Sequence, residues 1–159
     1  MKVEQLMTKE VVSCLPEDTL SHAARIMWEK DCGFVPVTES TENRRVVGVV
    51  TDRDICMAAY TRGQNLQQIL VRDVMTTSVR ACRPSENLNA AESTLRDAQV
   101  HRLPVVDSAN QLLGVISLAD IAREAAVEAG SVRRAVTTEE VGTTLAGIRK
   151  PRCVAAGIG

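Results

Sequence analysis

The sequence predicts an α+β fold: two β-α-β-β-α units related by a pseudo-two-fold axis, followed by one further helix. Two observations carry this. The chain repeats itself in register, and within each copy short apolar runs alternate with a helical apolar period. Laying residue n over n+68 pairs Met7 with Met75, Pro16 with Pro84, Leu20 with Leu88, Ala23 with Ala91, Pro36 with Pro104 and Val37 with Val105. Past a polar loop the offset falls to 66, and Gly48 meets Gly114, Thr51 Ser117, Asp54 Asp120 and Ile55 Ile121. The repeats therefore run over residues 3–57 and 71–124, with a linker at 58–70 and a tail at 125–159.

Each unit opens on a short apolar run, "VVSC" or "SVRAC", which a proline turn ends and which reads as a strand. Leu20, Ala23, Ala24 and Met27 then fall at i, i+3, i+4 and i+7, the face of an amphipathic helix, and Leu88, Ala91, Leu95 and Ala98 do the same. Asp18 or Thr19 and Ser85 or Asn87 are the candidate N-caps. Two strands follow, "FVPVTE" with "VVGVVT" and "LPVVD" with "LLGVIS", each pair joined by a polar turn. A second helix closes each unit near Gly63 and Gly130, residues suited to the left-handed turn after a helix. The stretch Asn65 to Asp73 reads as linker with one helical turn. Beyond Gly130 a last helix is predicted from about Thr138 to Lys150, with Thr137 and Glu140 as its capping box and Pro151 after its end. The final "CVAAGIG" reads as frayed or loosely docked. A single unit of this size buries little surface, so the two are expected to share a core.

Composition narrows the function classes. Of 159 residues 45% are hydrophobic and 25% charged, which fits a globular chain. A formal net charge of -1 provides no basic field to draw in nucleic acid. Trp28, Phe34 and Tyr60 are the whole aromatic set, too few for base-stacking platforms. No apolar run reaches the ~18 residues of a membrane span, and "MKVEQLMTKE" lacks the apolar stretch of a signal peptide, so the cytoplasm is the expected location. Five cysteines without a C-x-x-C pair, and only His22 and His101, argue against a zinc site or a disulfide framework. In the tail Arg133, Arg134, Arg149, Lys150 and Arg152 are interspersed with Glu139 and Glu140, a solvated face rather than a nucleic-acid surface.

The duplicated order of an apolar-Pro-Val motif ("FVPV", "RLPVV") and then "GVVTDRDI" or "GVISLADI" resembles a pair of CBS domains, a Bateman module, over residues 3–124. The resemblance implies a non-enzymatic regulatory module with no bound catalytic cofactor. It would hold an adenosine-containing ligand in the clefts between the repeats: AMP, ADP or ATP first, NAD or S-adenosylmethionine as alternatives. It also implies a homodimer that acts on a separate regulated protein, with neither membrane nor nucleic acid as partner. By the same resemblance Thr51 and Ser117 donate to phosphate beside helix N-terminal amides. Asp54 and Asp120 accept from ribose hydroxyls. Backbone around Cys32, Gly33 and Val35 meets one adenine, and that around Val100, His101 and Leu103 the other. Val49 and Val115 flank the bases, and Thr77 joins the second site. The run "VHRLP" is similar to a stretch of the gamma subunit of AMP-activated protein kinase, in which the His-Arg pair reaches phosphates and the arginine crosses to the companion site. This implies that Arg102, with Arg53 and Lys9, serves the cleft of Thr51 and Asp54, making it the tighter of the two.

The residues also admit plainer readings. Each T/S-x-x-D is a capping box in form, and a carboxylate folded onto its own helix start cannot fully serve a ribose. The two readings predict opposite directions for Asp54, and the use of Asp rather than Glu in both copies favours the ligand. Asp52 and Asp54, at i and i+2, diverge, and Leu118 replaces Asp52 in the second copy, which argues against a catalytic pair. His101 has no nucleophile or orienting acid near it in sequence. Trp28 reads as core or dimer contact. A structural dimerisation or protein-interaction module with empty clefts is the rival reading.

Overall fold

The computed structural model describes residues 1–130 and 134–150. In chain order its elements are α1 (Val3–Leu6), α2 (Leu20–Glu29), β1 (Phe34–Thr38), β2 (Val46–Thr51), α3 (Asp52–Arg62), α4 (Leu88–Ala98), β3 (Arg102–Val106), β4 (Leu112–Ser117), α5 (Leu118–Val127) and α6 (Thr138–Ile148). Single 3-10 turns occupy Val71–Asp73 and Glu128–Gly130. β1 pairs antiparallel with β2, and β3 with β4, as two separate two-stranded sheets. The copies match in detail: Pro36 lies opposite Val49 and Pro104 opposite Val115, and both ladders carry an irregularity just before the end of the first strand.

Helix boundaries follow local chemistry. Thr19 caps α2, its hydroxyl accepting from His22 N at 3.3 Å, while Asp18 accepts from Leu15 N at 2.7 Å and closes the turn before it. Asn87 holds the cap position of α4 with no side-chain bond to the helix. Gly63 ends α3 at φ 59°, a left-handed conformation that costs glycine little. The second helix of each repeat extends past residues 57 and 124, to Arg62 and Val127.

The expected opening strand of each unit is reduced to one residue. Cys14 forms a single parallel bridge to Val37, and Cys82 one to Val105. Prolines explain the truncation. Cys14 N donates to Pro36 O at 3.1 Å, and Thr38 N to Cys14 O at 2.9 Å. The next rungs in either direction would need N–H groups from Pro36 and Pro16, which have none. Pro104 and Pro84 bracket Cys82 in the same way. Burial pushes both thiols up to about 12, so they act as small hydrophobes.

Among the described residues the expected single shared core does not form. Two cores form, one per repeat, and each is completed by the segment that precedes the other repeat. Val3 enters the core of Leu88, Leu95 and Ile121, and Val71 and Ile69 enter that of Leu20, Val35 and Val50. The exchange is hydrogen-bonded: Val3 N reaches Glu86 O at 2.9 Å, and Val71 N reaches Asp18 O at 2.8 Å. A small junction of Val46, Val106 and Leu112 sits between the two.

α6 covers α4 and α5 as a third layer on the second repeat. Thr137 and Glu140 form its capping box, with Thr137 N donating to Glu140 Oε2 at 2.7 Å. Val136 and Ile148 join the second core, and Thr144 Oγ1 donates to the buried Glu92 at 3.3 Å. The helix ends at Ile148, two residues short of the expected Lys150. Among the described residues no such layer covers the first repeat, and Trp28 is 88% exposed there, so the core alternative for it is wrong. Arg133, Pro151, Arg152 and Cys153 lie outside the described residues.

Candidate functional site

Both repeats run a strand straight into a helix, and this junction builds the site. Thr51 ends β2 and caps α3; Ser117 ends β4 and caps α5. Asp54 Oδ2 accepts from Thr51 N at 2.9 Å and Thr51 Oγ1 at 2.7 Å, while Asp54 N donates to Thr51 Oγ1 at 3.2 Å. Asp120 does the same with Ser117, at 2.9, 2.6 and 3.1 Å. The capping box is therefore complete in both copies. The inward-or-outward choice posed by the sequence was too simple, because a carboxylate has two oxygens. Capping uses Oδ2 alone. Asp54 Oδ1 takes no hydrogen bond among the described residues, whereas Asp120 Oδ1 is bound by Arg123.

The repeated glycines also gain a reason. A Cβ on Gly114 would lie 2.6 Å from Thr8 O, and one on Gly48 would lie 2.6 Å from Met75 Sδ. The exchanged segments cross the strands at these points, through Thr8 to Val115 and Thr76 to Val49. That crossing carries Thr76, Ser78 and Arg80 to the Thr51 junction, and Thr8 and Glu10 to the Ser117 junction.

Two clefts result. The first, of about 600 Å³, is lined by Gly33, Phe34, Val49, Thr51, Asp52, Arg53 and Asp54 from repeat one. Thr76, Ser78, Val79, Arg80, Ala98, Gln99, Val100, His101, Arg102 and Pro104 complete it. The second, of about 360 Å³, combines Val115, Ser117, Ala119, Asp120 and Arg123 with Thr8, Glu10, Val11, Val12, Ile26, Lys30, Asp31, Cys32, Phe34 and Arg102. Each cleft thus joins the T/S-x-x-D of one repeat to the stretch before the Pro-Val motif of the other.

This cross-pairing corrects several sequence placements. Cys32, assigned to the Thr51 site, lines the Ser117 cleft, while Val100 and His101 make the reverse exchange. Val35 and Leu103 are fully buried and line neither. Thr77 lies between two lining residues without lining the cleft itself, and Lys9 faces a separate surface groove with Lys2 and Glu4. Gly33, Val49, Thr51, Arg53, Asp54 and Arg102 do meet in the first cleft, and Val115, Ser117 and Asp120 in the second. Arg102 lines both. Sequence reasoning missed Arg80, Ser78 and Gln99, although the n+68 overlay aligns them with Val12, Glu10 and Asp31 of the other cleft. Asp31 and Gln99 share a left-handed backbone, φ 48° and 53°, just past the ends of α2 and α4, and each lines its cleft.

The clefts differ in electrostatics. In the first, the guanidinium groups of Arg53, Arg80 and Arg102 make no ion pair or hydrogen bond among the described residues, and the acidic lining residues are Asp52 and Asp54 alone. The second sets Glu10, Asp31 and Asp120 against Lys30, Arg102 and Arg123, and the Arg123–Asp120 pair is already closed. His101 is held below the usual imidazole range by burial first, then by Arg149 and Arg102. No group of three or more His, Cys, Asp or Glu among the described residues could hold a metal ion. No described helix is long and apolar enough to cross a membrane.

These features match known proteins. The chain is 33% identical over 120 residues to the CBS domain-containing protein YhcV of Bacillus subtilis (strain 168), covering 76% of this chain and 82% of that one. It is 34% identical over 121 residues to a homoserine O-acetyltransferase of Methanococcoides burtonii, covering 76% of this chain but 23% of the enzyme. The structure of CBSX2 in complex with AMP superimposes with a TM-score of 0.69 at 29% identity, covering 81% of this chain and 98% of that one. The CBS domain model matches twice, at residues 3–60 and 71–127, and the chain belongs to the CBS-domain family as a tandem pair.

Proposed function

We propose that the chain is a regulatory adenine-nucleotide-binding module whose principal site is the Thr51 cleft. The observation that carries this is the convergence of three unpaired guanidinium groups on a helix N-terminus, beside an aspartate with one oxygen to spare. Phosphate fits the arginines and the first-turn amides of α3. A ribose diol fits Asp54 Oδ1, which can accept without disturbing the cap. The apolar surface of Val49, Val79 and Val100 suits a purine. The relative that binds AMP supports the ligand class, with AMP, ADP or ATP favoured and NAD or S-adenosylmethionine as alternatives.

The proposed action is on a separate protein, with nucleotide binding changing how the repeats pack, and with no catalysis by this chain. Four described cysteines are free, in keeping with a reducing cytoplasm. The exposed face of α2 and α3 supports a homodimer. Trp28 there stands at the position of Arg96, which in repeat two lies beneath α6, and Tyr60 is 83% exposed.

For the second cleft the rival reading, an empty structural pocket, has its own support, since Asp120 is closed off by Arg123. Calorimetry with AMP, ADP, ATP, NAD and S-adenosylmethionine tests the whole. One site per chain, lost on combined Arg53→Ala and Arg102→Ala substitution, is the expected result. Absence of heat and of thermal stabilisation with every ligand would refute nucleotide sensing; at 100 times Kd a ligand raises stability by ~2.7 kcal/mol, which a melt detects.

A further inference from the structure

α6 lies outside both matched repeats, yet it ends at the rim of the Thr51 cleft. Three contacts fix that end. Ile148 is buried in the second core. Gly147 lies so close to α4 that a Cβ on it would stand 2.3 Å from Arg96 Cγ. Gln99 Nε2 donates to Lys150 O at 2.9 Å. Gln99 itself lines the cleft and, in its left-handed conformation, leads directly into Val100, His101 and Arg102. The residue between Ile148 and Lys150 is Arg149. Its side chain is exposed and makes no ion pair or hydrogen bond among the described residues, while its backbone N–H donates to Leu145 O. Its charge nonetheless reaches the cleft wall, where it helps to disfavour protonation of His101.

We propose that Arg149 is a specificity-determining residue of the Thr51 cleft, favouring ligands that carry more than one phosphate. This rests on the nucleotide reading of that cleft. The lining arginines outnumber the lining aspartates by one, an excess that a single phosphate dianion already overmatches. Each further phosphate needs a further cation, and a chain growing outward from α3 meets the rim, where the inner arginines are no longer close. Arg149 stands at that rim, on an element anchored by its own core contacts. An exposed, solvated cation of this kind discriminates by charge rather than by shape.

The test compares wild type, Arg149→Gln and Arg149→Lys by calorimetry with adenosine, AMP and ATP, and with inorganic tripolyphosphate in parallel. R149Q is expected to weaken ATP by about two- to fivefold, to weaken AMP less, and to leave adenosine unchanged. R149K is expected to restore most of the ATP affinity, because the charge returns. Raising salt should narrow the gap between wild type and R149Q. Equal ATP affinity in wild type and R149Q overturns the proposal. So does an equal loss for adenosine and ATP, which marks a structural role. If wild type binds no nucleotide, the sensing reading fails separately, and tripolyphosphate then decides: weaker binding by R149Q upholds the cation's role, while unchanged or absent binding ends it.

Discussion

Replacing Asp54 by asparagine separates the two tasks of its carboxylate. In the structure Oδ2 accepts from Thr51 N at 2.9 Å and Thr51 Oγ1 at 2.7 Å, Oδ1 takes no hydrogen bond among the described residues, and Asp54 lines the cleft. Asparagine can present its carboxamide oxygen to Thr51, so α3 keeps its start. What the helix loses is a negative charge near its positive end, about 0.3–1 kcal/mol. At about 2–4 °C per kcal/mol for a chain of this length, the melting temperature should fall by a few degrees at most. The ligand loses more. The atom replacing Oδ1 is an NH2 group, which cannot accept from a ribose hydroxyl, and a hydrogen bond to a charged partner contributes about 1.5–3 kcal/mol. That converts to about a 10- to 150-fold weaker AMP complex. Isothermal calorimetry with AMP, run beside a thermal melt of the free protein, reads both effects. Unchanged AMP affinity in D54N would refute the division of labour between the two oxygens. A large loss of stability would refute the claim that asparagine preserves the cap.

Four further substitutions have expected outcomes. Arg123→Ala frees Asp120 Oδ1, so AMP stoichiometry should rise from one towards two per chain; an unchanged stoichiometry at saturating AMP counts against the closed-off second cleft. Gly114→Ala places a methyl 2.6 Å from the backbone oxygen of Thr8 and must open the Thr8–Val115 crossing, costing about 1–3 kcal/mol in urea denaturation. Gly48→Ala should cost less, because its nearest obstacle is the movable Met75 Sδ; equal costs would contradict this. Burial raises the pKa of Glu92, the nearby Glu140 adding to the shift and Thr144 and Arg96 opposing it. A carboxyl whose folded pKa is raised stabilises when protonated, so its contribution is full below its unfolded pKa and is lost as pH rises through the folded one. Melts from pH 4 to 8 should therefore show Glu92→Gln with a flatter profile than wild type and a higher Tm at the alkaline end; parallel profiles would show that Glu92 is not the group responsible.

Much of the fold is legible in the sequence because it depends on local pattern. The apolar spacing of Leu20, Ala23 and Met27 marks a helix face wherever the helix packs, and Thr137 with Glu140 marks a helix start from four residues alone. Gly63 declares its left-handed turn in the same local way. The opening strands were misread for a reason that the sequence did contain. Pro16, Pro36, Pro84 and Pro104 remove the donors that further rungs need, but this follows only once Cys14 is known to pair with Val37 and Cys82 with Val105. Of the two readings of Trp28 the core one fails, because its spacing cannot report that α6 covers one repeat and not the other.

The site shows the same boundary. Thr51, Asp54, Ser117 and Asp120 were identifiable because a hydroxyl and an acid three residues apart act within one turn, and the repeat displays them twice. Which stretch faces which junction was not identifiable, since two similar repeats can complete their own clefts or each other's, and the residue types suit both arrangements. The tertiary structure decides for exchange. The segments before each repeat cross over at Gly48 and Gly114, where absent side chains admit a backbone, and carry Val71 and Val3 into opposite cores. That single topological choice moves His101 to the Thr51 cleft and Cys32 to the Ser117 cleft. It also makes one cleft rich in unpaired arginine and leaves the other already neutralised. The sequence determined the parts and their chemistry through short-range rules; their partnership was set by long-range packing, which no local pattern encodes.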